Sequence, residues 1–180
     1  MSSLNVLAIP ATNSRTSINK QLLDYVASVL ADDHDADVNF LDLNDHEMAI
    51  YSPEREEEGI PPEAQSFFDA IGSADAVVIS FAEYNGSYTP AWKNTYDWAS
   101  RIDSSVYQGK PVLMLAASPG PRAGAGVLGA ATMAAPYLGA ELVGSLGVGT
   151  FYDSFDGALV DPSTDTELRR LLRALAEATH

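Results

Sequence analysis

The tightest constraint on this chain is an alternation: short apolar runs take turns with longer segments whose apolar residues recur at helical spacing. Leu4–Ile9, Val38–Leu41, Ala76–Phe81, Pro111–Ala117 and Leu142–Val148 read as strands, the first ending at Pro10. Ser17–Leu30, Pro62–Ile71, Pro90–Arg101, Gly124–Leu138 and Thr164–Ala178 read as helices. In the first of these the stripe is Ile18, Leu22, Leu23, Tyr25, Val26, Val29 and Leu30. Pro90 is compatible with a helix start, because the first turn does not use its N–H. Strands alternating with helices pair in parallel, and their unbroken apolar character calls for cover on both faces. The expectation is one three-layer α/β domain over residues 1–180, since no repeat, low-complexity tract or linker interrupts the chain. The long polar segment Leu43–Pro62 fits no element.

Composition narrows what such a domain can do. A chain of 180 residues can bury roughly 70% of the surface it exposes when unfolded. The net charge is −15, from 25 acidic and 10 basic side chains. Such a surface repels nucleic acid and anionic membranes, so neither is expected as a partner. Cysteine is absent, which excludes disulfides, thiolate catalysis and Cys-ligated metal or iron–sulfur centres. His34, His46 and His180 form no i, i+4 pair, so no metal site is expected. The N-terminus lacks the basic-then-apolar pattern of a secretory signal, and a cytoplasmic location is expected. Ala123–Ala140 carries no charge, but its alanines, glycines and Pro136 suit a buried helix rather than a membrane span.

In an open parallel sheet, ligands sit beyond the carboxyl ends of the strands where the strand order reverses. Three loops leave such ends. The first, Ala11–Asn19, places hydroxyl and amide side chains before a helix whose first amides favour an anion. Plain N-capping by Ser14 or Ser17 would need only one of them. The second, Glu83–Pro90, joins backbone donors to aromatic surface, as a flat heteroaromatic ring requires; an Asn-Gly turn with two packing tyrosines is the simpler reading. The third, Ser118–Gly126, brings glycines and Arg122. Its Gly124, Gly126 and Gly129 match GxGxxG, but they start too far past the strand and no acidic strand end follows at the required distance. The first loop is not a P-loop either, for it lacks the lysine and the spacing.

Taken together, the loops resemble those of the NADPH-dependent FMN reductase family, whose members include azoreductase-like and quinone-reducing proteins. The likeness is carried by Glu83-Tyr84-Asn85-Gly86-Ser87-Tyr88, then Lys93-Asn94 and Asp97-Trp98, with Ser17-x-Asn19 and Ser118-Pro119-Gly120 in agreement. Ala82 stands where the family usually has proline, the first loop opens Ala-Thr rather than Gly-Ser, and Arg15 lies one position late. The resemblance implies a flavodoxin-like five-stranded sheet in the order 2-1-3-4-5. It also implies FMN as cofactor, with Thr12, Ser14, Ser17, Ile18 and Asn19 around the phosphate. Glu83, Tyr84, Asn85 and Gly86 would then line the isoalloxazine, and Ser118, Pro119, Gly120 and Arg122 would close its other side. NADPH or NADH would be co-substrate and a small molecule the electron acceptor. No protein side chain is expected to be catalytic, since the flavin carries the chemistry. A carrier of the flavodoxin type, without reductase activity of its own, is the alternative. The uncharged 124–138 helix has no polar face, so with the 90–101 helix it is expected to join subunits in a homodimer or homotetramer.

Overall fold

The structure, a computed structural model, describes residues 3–179. In chain order the elements are β1 (Leu4–Ala11), α1 (Ile18–His34), β2 (Ala36–Phe40), α2 (Pro53–Glu56), α3 (Pro62–Ser73), β3 (Ala76–Phe81), α4 (Pro90–Ile102), β4 (Pro111–Ala117), α5 (Ala125–Ala134), β5 (Glu141–Val148), α6 (Phe151–Ser154) and α7 (Pro162–Glu177). Short 3-10 turns occupy Leu43–His46 and Ala135–Leu138. All strand pairs are parallel, and the sheet runs β2-β1-β3-β4-β5, the expected order.

The apolar runs work by splitting between two faces, because successive strand residues point opposite ways. Leu7 and Ile9, Val77 and Ile79, and Val112 and Met114 meet Phe67 and Ile71 of α3, Trp92 of α4 and Val127 of α5. Val6, Ala8, Val78, Leu113 and Leu115 meet Leu22, Leu23 and Val26 of α1 and Leu168 and Leu172 of α7. On the first face the Trp92 ring stands edge-on to Phe67 and Phe81, at 5.9 and 5.4 Å between centroids. Truncating Phe67 to alanine would cost about 3–5 kcal/mol, the usual range for a buried aromatic.

Several boundaries differ from the sequence reading, each for a local reason. β1 does not stop at Pro10; it continues to Ala11, with Pro10 opposite Ser80 of β3. Ala8 bonds on the β2 side, where its carbonyl accepts the Leu41 N–H at 3.0 Å. Pro10, two residues on, faces the same side after β2 has ended, so its missing N–H interrupts no ladder. β2 covers 36–40 rather than 38–41; it is an edge strand with three of its five residues exposed, which weakens its apolar signal. The helix expected to run to Leu138 is α only through Ala134 and tightens to 3-10 around Pro136, which has no N–H to continue the α ladder. β5 starts one residue early and pairs irregularly with β4 between Val112 and Leu113.

The chain passes from β1 outward to β2, then returns to place β3 on the other side of β1. The carboxyl ends of β1 and β3 therefore flank the point where the sheet changes direction, and the first two loops meet there.

Candidate functional site

The first loop is built so that α1 starts without using up its donors. Ser17 caps the helix, its hydroxyl accepting the Asn19 N–H at 3.1 Å. Thr12, only 2% exposed, turns back on Pro10, and its hydroxyl accepts the Ser14 N–H at 3.2 Å. The hydroxyl protons of both remain available, and the Ile18 amide makes no hydrogen bond among the described residues. Charge favours an anion here as well. In a chain of net charge −15, residues 1–23 contain no Asp or Glu, and the first turn of α1 has none.

The side chain of Asn19 is engaged within the fold. Its Oδ1 accepts from the Ser80 hydroxyl and the Ala117 amide, both at 2.8 Å, and its Nδ2 donates to the Ala117 carbonyl at 3.2 Å. The side chain thus pins the start of α1 to the ends of β3 and β4, with both its polar atoms engaged.

The second loop is a two-residue hairpin. Tyr84 and Ser87 exchange backbone hydrogen bonds at 3.0 and 3.1 Å, and Asn85 and Gly86 between them both have positive φ, 53° and 78°. That is the type I′ arrangement, for which Asn-Gly is the preferred pair, and it leaves both tip amides outside the ladder. The two tyrosines divide the alternatives seen in the sequence. Tyr88 packs against Phe81 and Tyr96. Burial pushes its phenol up to about 12, and that of Tyr96 also to about 12. Tyr84 is 45% exposed and faces the cleft described below. Behind the hairpin, the buried Thr89 hydroxyl caps α4 through the Trp92 N–H at 3.2 Å and donates to the Ala11 carbonyl at 2.9 Å, tying the second loop to the first.

The third loop is held by the end of β5. The Ser118 amide donates to the Val148 carbonyl, while the Ser118 and Gly120 carbonyls accept from Phe151 and Thr150. These bonds hold Thr150 at φ 44°, a conformation that costs a non-glycine residue about 1–3 kcal/mol. They also fix α6, whose Phe151 is buried and whose Tyr152 is 74% exposed.

The three loops enclose a cleft of about 230 Å³. From the predicted set it takes Thr12, Ser14, Ser17, Ile18 and Asn19, then Glu83 and Tyr84, then Ser118 and Pro119. Asn85, Gly86, Gly120 and Arg122 do not line it; Asn85, Gly86 and Gly120 are exposed at loop tips beyond its walls, and Arg122 is exposed on the way to α5. Thr16, Ala82, Ala117 and Tyr152 line it without having been singled out. Thr16 belongs to the hydroxyl-rich run and was recoverable. Tyr152 carried no signal, because it reaches the cleft only through the docking of α6 on the third loop.

Volume alone would not select this cleft. A shallow hollow of about 690 Å³ lies at the opposite sheet end, between Leu4, Asp33, Arg169 and Arg173. There Arg169 is already committed to Asp165 and Asp33, at 2.8 and 2.6 Å. Another hollow, of about 190 Å³, lies across the first loop from the cleft, between Asn13, Leu43, Met48 and Asn94. Of the Lys93-Asn94 and Asp97-Trp98 residues, Asn94 lines it. Asn94 accepts the Tyr51 N–H at 2.9 Å and donates to the Met48 and Ala49 carbonyls, each at 3.2 Å. Trp98 Nε1 donates to the Ala49 carbonyl at 2.8 Å. Asn94 and Trp98 thus strap the 48–51 segment onto α4, Lys93 and Asp97 pair with each other at 2.6 Å, and none of the four lines the cleft.

A parallel sheet in this order, with loops gathered at its switch point, defines the flavodoxin-like class of α/β proteins. The chain matches the family described as NADPH-dependent FMN reductase over residues 4–153, and it belongs to that family. It is 34% identical over 118 residues to a 2-hydroxy-1,4-benzoquinone reductase of Burkholderia, covering 65% of this chain and 62% of that protein. It is 41% identical over 71 residues to a quinone reductase of Escherichia coli, covering 39% and 38% respectively. The matched part is less than two thirds of the length of either relative. Among solved structures, the flavoenzyme NAD(P)H:(acceptor) oxidoreductase FerB of Paracoccus denitrificans shares the fold, with a TM-score of 0.79, 20% identity and coverage of 98% and 97%. Among the described residues no helix is long and apolar enough to cross a membrane.

Proposed function

We propose that the chain is an NAD(P)H-dependent oxidoreductase that holds FMN in this cleft and delivers electrons to a small acceptor of the quinone type. One observation carries the reading. In a strongly acidic protein, the cleft where the three loops meet begins with an acid-free, hydroxyl-rich loop at an open helix start. That donor set suits a phosphate monoester. Beside that loop the cleft is walled by Tyr84, Pro119 and Tyr152, whose apolar surface suits the face of a flat ring.

When bound, FMN would supply the hydride chemistry between the reduced nicotinamide and the acceptor. The chain's residues bind and orient. The hydroxyls of Thr12, Ser14 and Ser17, with the Ile18 amide, hold the phosphate. Asn85 and Gly86 offer their tip amides to the ring edge from outside the cleft wall. Tyr84 and Tyr152 supply apolar contact at the mouth. Ser118, Pro119 and Gly120 close the far side, and Arg122 adds a positive charge near it. Asn19 serves by keeping α1 in register with β3 and β4. The use of a nicotinamide nucleotide fits the cytoplasm as the place of action.

The outer face of α5 and its 3-10 extension leaves Met133 and Tyr137 at 72% and 83% exposed, so one chain alone covers only the inner face of this uncharged segment. A second copy is the proposed cover, making a homodimer or homotetramer; a monomeric mass by light scattering at micromolar concentration would contradict it.

The main test is optical. Purified protein mixed with FMN should show bound-flavin bands, and NADPH or NADH should bleach them rapidly without a partner protein. Added quinone should restore them. Protein that binds no FMN sinks the reading, and bleaching that requires a second protein would favour the carrier instead.

A further inference from the structure

The start of α5 lacks any capping group of its own. Its N-cap is Gly124, with no side chain to accept a hydrogen bond, and its first turn holds no acidic residue. A helix in this state leaves N–H groups unpartnered at its positive end, a position that favours an acceptor and a negative charge. Glu83, from the second loop, fills that place: its Oε2 accepts the Val127 N–H at 2.9 Å across 44 residues of sequence.

A second contact, made by the hairpin backbone as well as the carboxylate, shows how close the two elements lie. A Cβ on Gly126 would stand 2.6 Å from the Gly86 carbonyl oxygen and 2.8 Å from Glu83 Oε2. Only a residue without a side chain lets the hairpin backbone rest on the helix here. The hairpin's other hydrogen bonds, between Tyr84 and Ser87, are internal and do not fix where it points.

We infer that Glu83 is a positioning residue: by capping α5 it docks the Tyr84–Ser87 hairpin, and so sets where the Asn85 and Gly86 amides stand against the flavin edge. The inference rests on the proposed FMN reading for its ligand. The dock itself can be examined in apoprotein. Glu83 lines the cleft, and its Oε2 is engaged by the helix start.

Three variants test this by different chemistry. Glu83→Ala removes the acceptor, whereas Glu83→Gln keeps an oxygen that can still accept from Val127. Gly126→Ala keeps the carboxylate and improves helix propensity, but wedges the hairpin away. In apoprotein, hydrogen exchange at the Val127 amide should speed up about tenfold in Glu83→Ala and stay near wild type in Glu83→Gln. FMN affinity should fall about tenfold in both Glu83→Ala and Gly126→Ala, with Glu83→Gln restored to within about threefold of wild type. Riboflavin, which lacks the phosphate, should lose affinity by the same factor, and the visible band of bound flavin should shift, because the disturbance lies at the ring. A merely structural role would lower melting temperature in Gly126→Ala without selective loss at the ring. Unchanged Val127 exchange in Glu83→Ala overturns the inference, as does wild-type flavin affinity in Gly126→Ala. If wild-type protein binds no flavin while Val127 exchange still responds to Glu83→Ala, the functional reading has failed and the dock alone stands.

Discussion

Two helices start within a few residues of the same cleft, and they start differently. α1 is capped by its own Ser17 hydroxyl, has no acid in its first turn, and leaves the Ile18 amide without a partner among the described residues. α5 has no cap of its own and is closed by Glu83, a carboxylate supplied by a distant loop. The same helix-start electrostatics is left open in one case and neutralised in the other. A free helix start is therefore informative only when the fold has not already filled it. That is why α1, and not α5, is the start proposed here for an anionic group.

The comparison can be broken most directly at Ser17. Aspartate caps helices as well as serine does, so Ser17→Asp should fold normally while placing a negative charge where the phosphate is proposed to sit. FMN affinity, read by fluorescence titration, should fall by about a hundredfold or more, with little change for riboflavin. Equal loss for both ligands would place the phosphate elsewhere.

A smaller effect is expected at Asn19, which holds the open helix in place without serving as its cap. Asn19→Ala leaves the Ser80 hydroxyl and both Ala117 backbone groups without that partner. Stability by urea denaturation should drop by about 2–3 kcal/mol, as expected for unpaired buried groups. Retained wild-type stability would show that water or repacking replaces it.

Next comes α4, a helix start closed by its own residue. Thr89→Ala removes a cap and a buried bond to Ala11, and should cost about 1–2 kcal/mol. Intrinsic flavin binding should barely change, because Thr89 lies behind the hairpin and outside the cleft.

The smallest effect concerns α7, capped by its own carboxylate. Hydrogen bonds from Ser163 and Thr164 lower Asp161 to about 2. Its folded-state value lies below its unfolded one, so its contribution is complete above about pH 4 and disappears as pH falls toward 2. Asp161→Asn should flatten the stability curve in that window alone. A difference between variant and wild type that persists unchanged to pH 2 would contradict the assignment.

Much of this was legible in the residues. Five apolar runs marked five strands, and Asn85-Gly86 marked the tight turn that forms. The hydroxyl-rich first loop marked the open helix start. The family likeness, however, was carried partly by Lys93, Asn94, Asp97 and Trp98, none of which lines the cleft: Asn94 and Trp98 fasten the 48–51 segment, and Lys93 pairs with Asp97 along α4. A motif can thus identify a family through its scaffold as well as its site. Arg122 shows the converse: charge and loop position suggested a contact, yet its place lies outside the cleft wall.

What the sequence determined by itself is whatever neighbours in the chain decide between them: helical or extended periodicity, caps reaching two or three residues ahead, and a turn whose left-handed backbone suits Asn-Gly. What only the tertiary structure decided are the partnerships between residues far apart in the chain. Asn19 meets Ala117, Glu83 meets Val127, and Tyr152 arrives at the mouth of the cleft. The physical reason is that a hydrogen bond acts over about 3 Å. Which distant donor comes within that reach is settled when strands stack in register and helices pack across them, and no local pattern records that outcome.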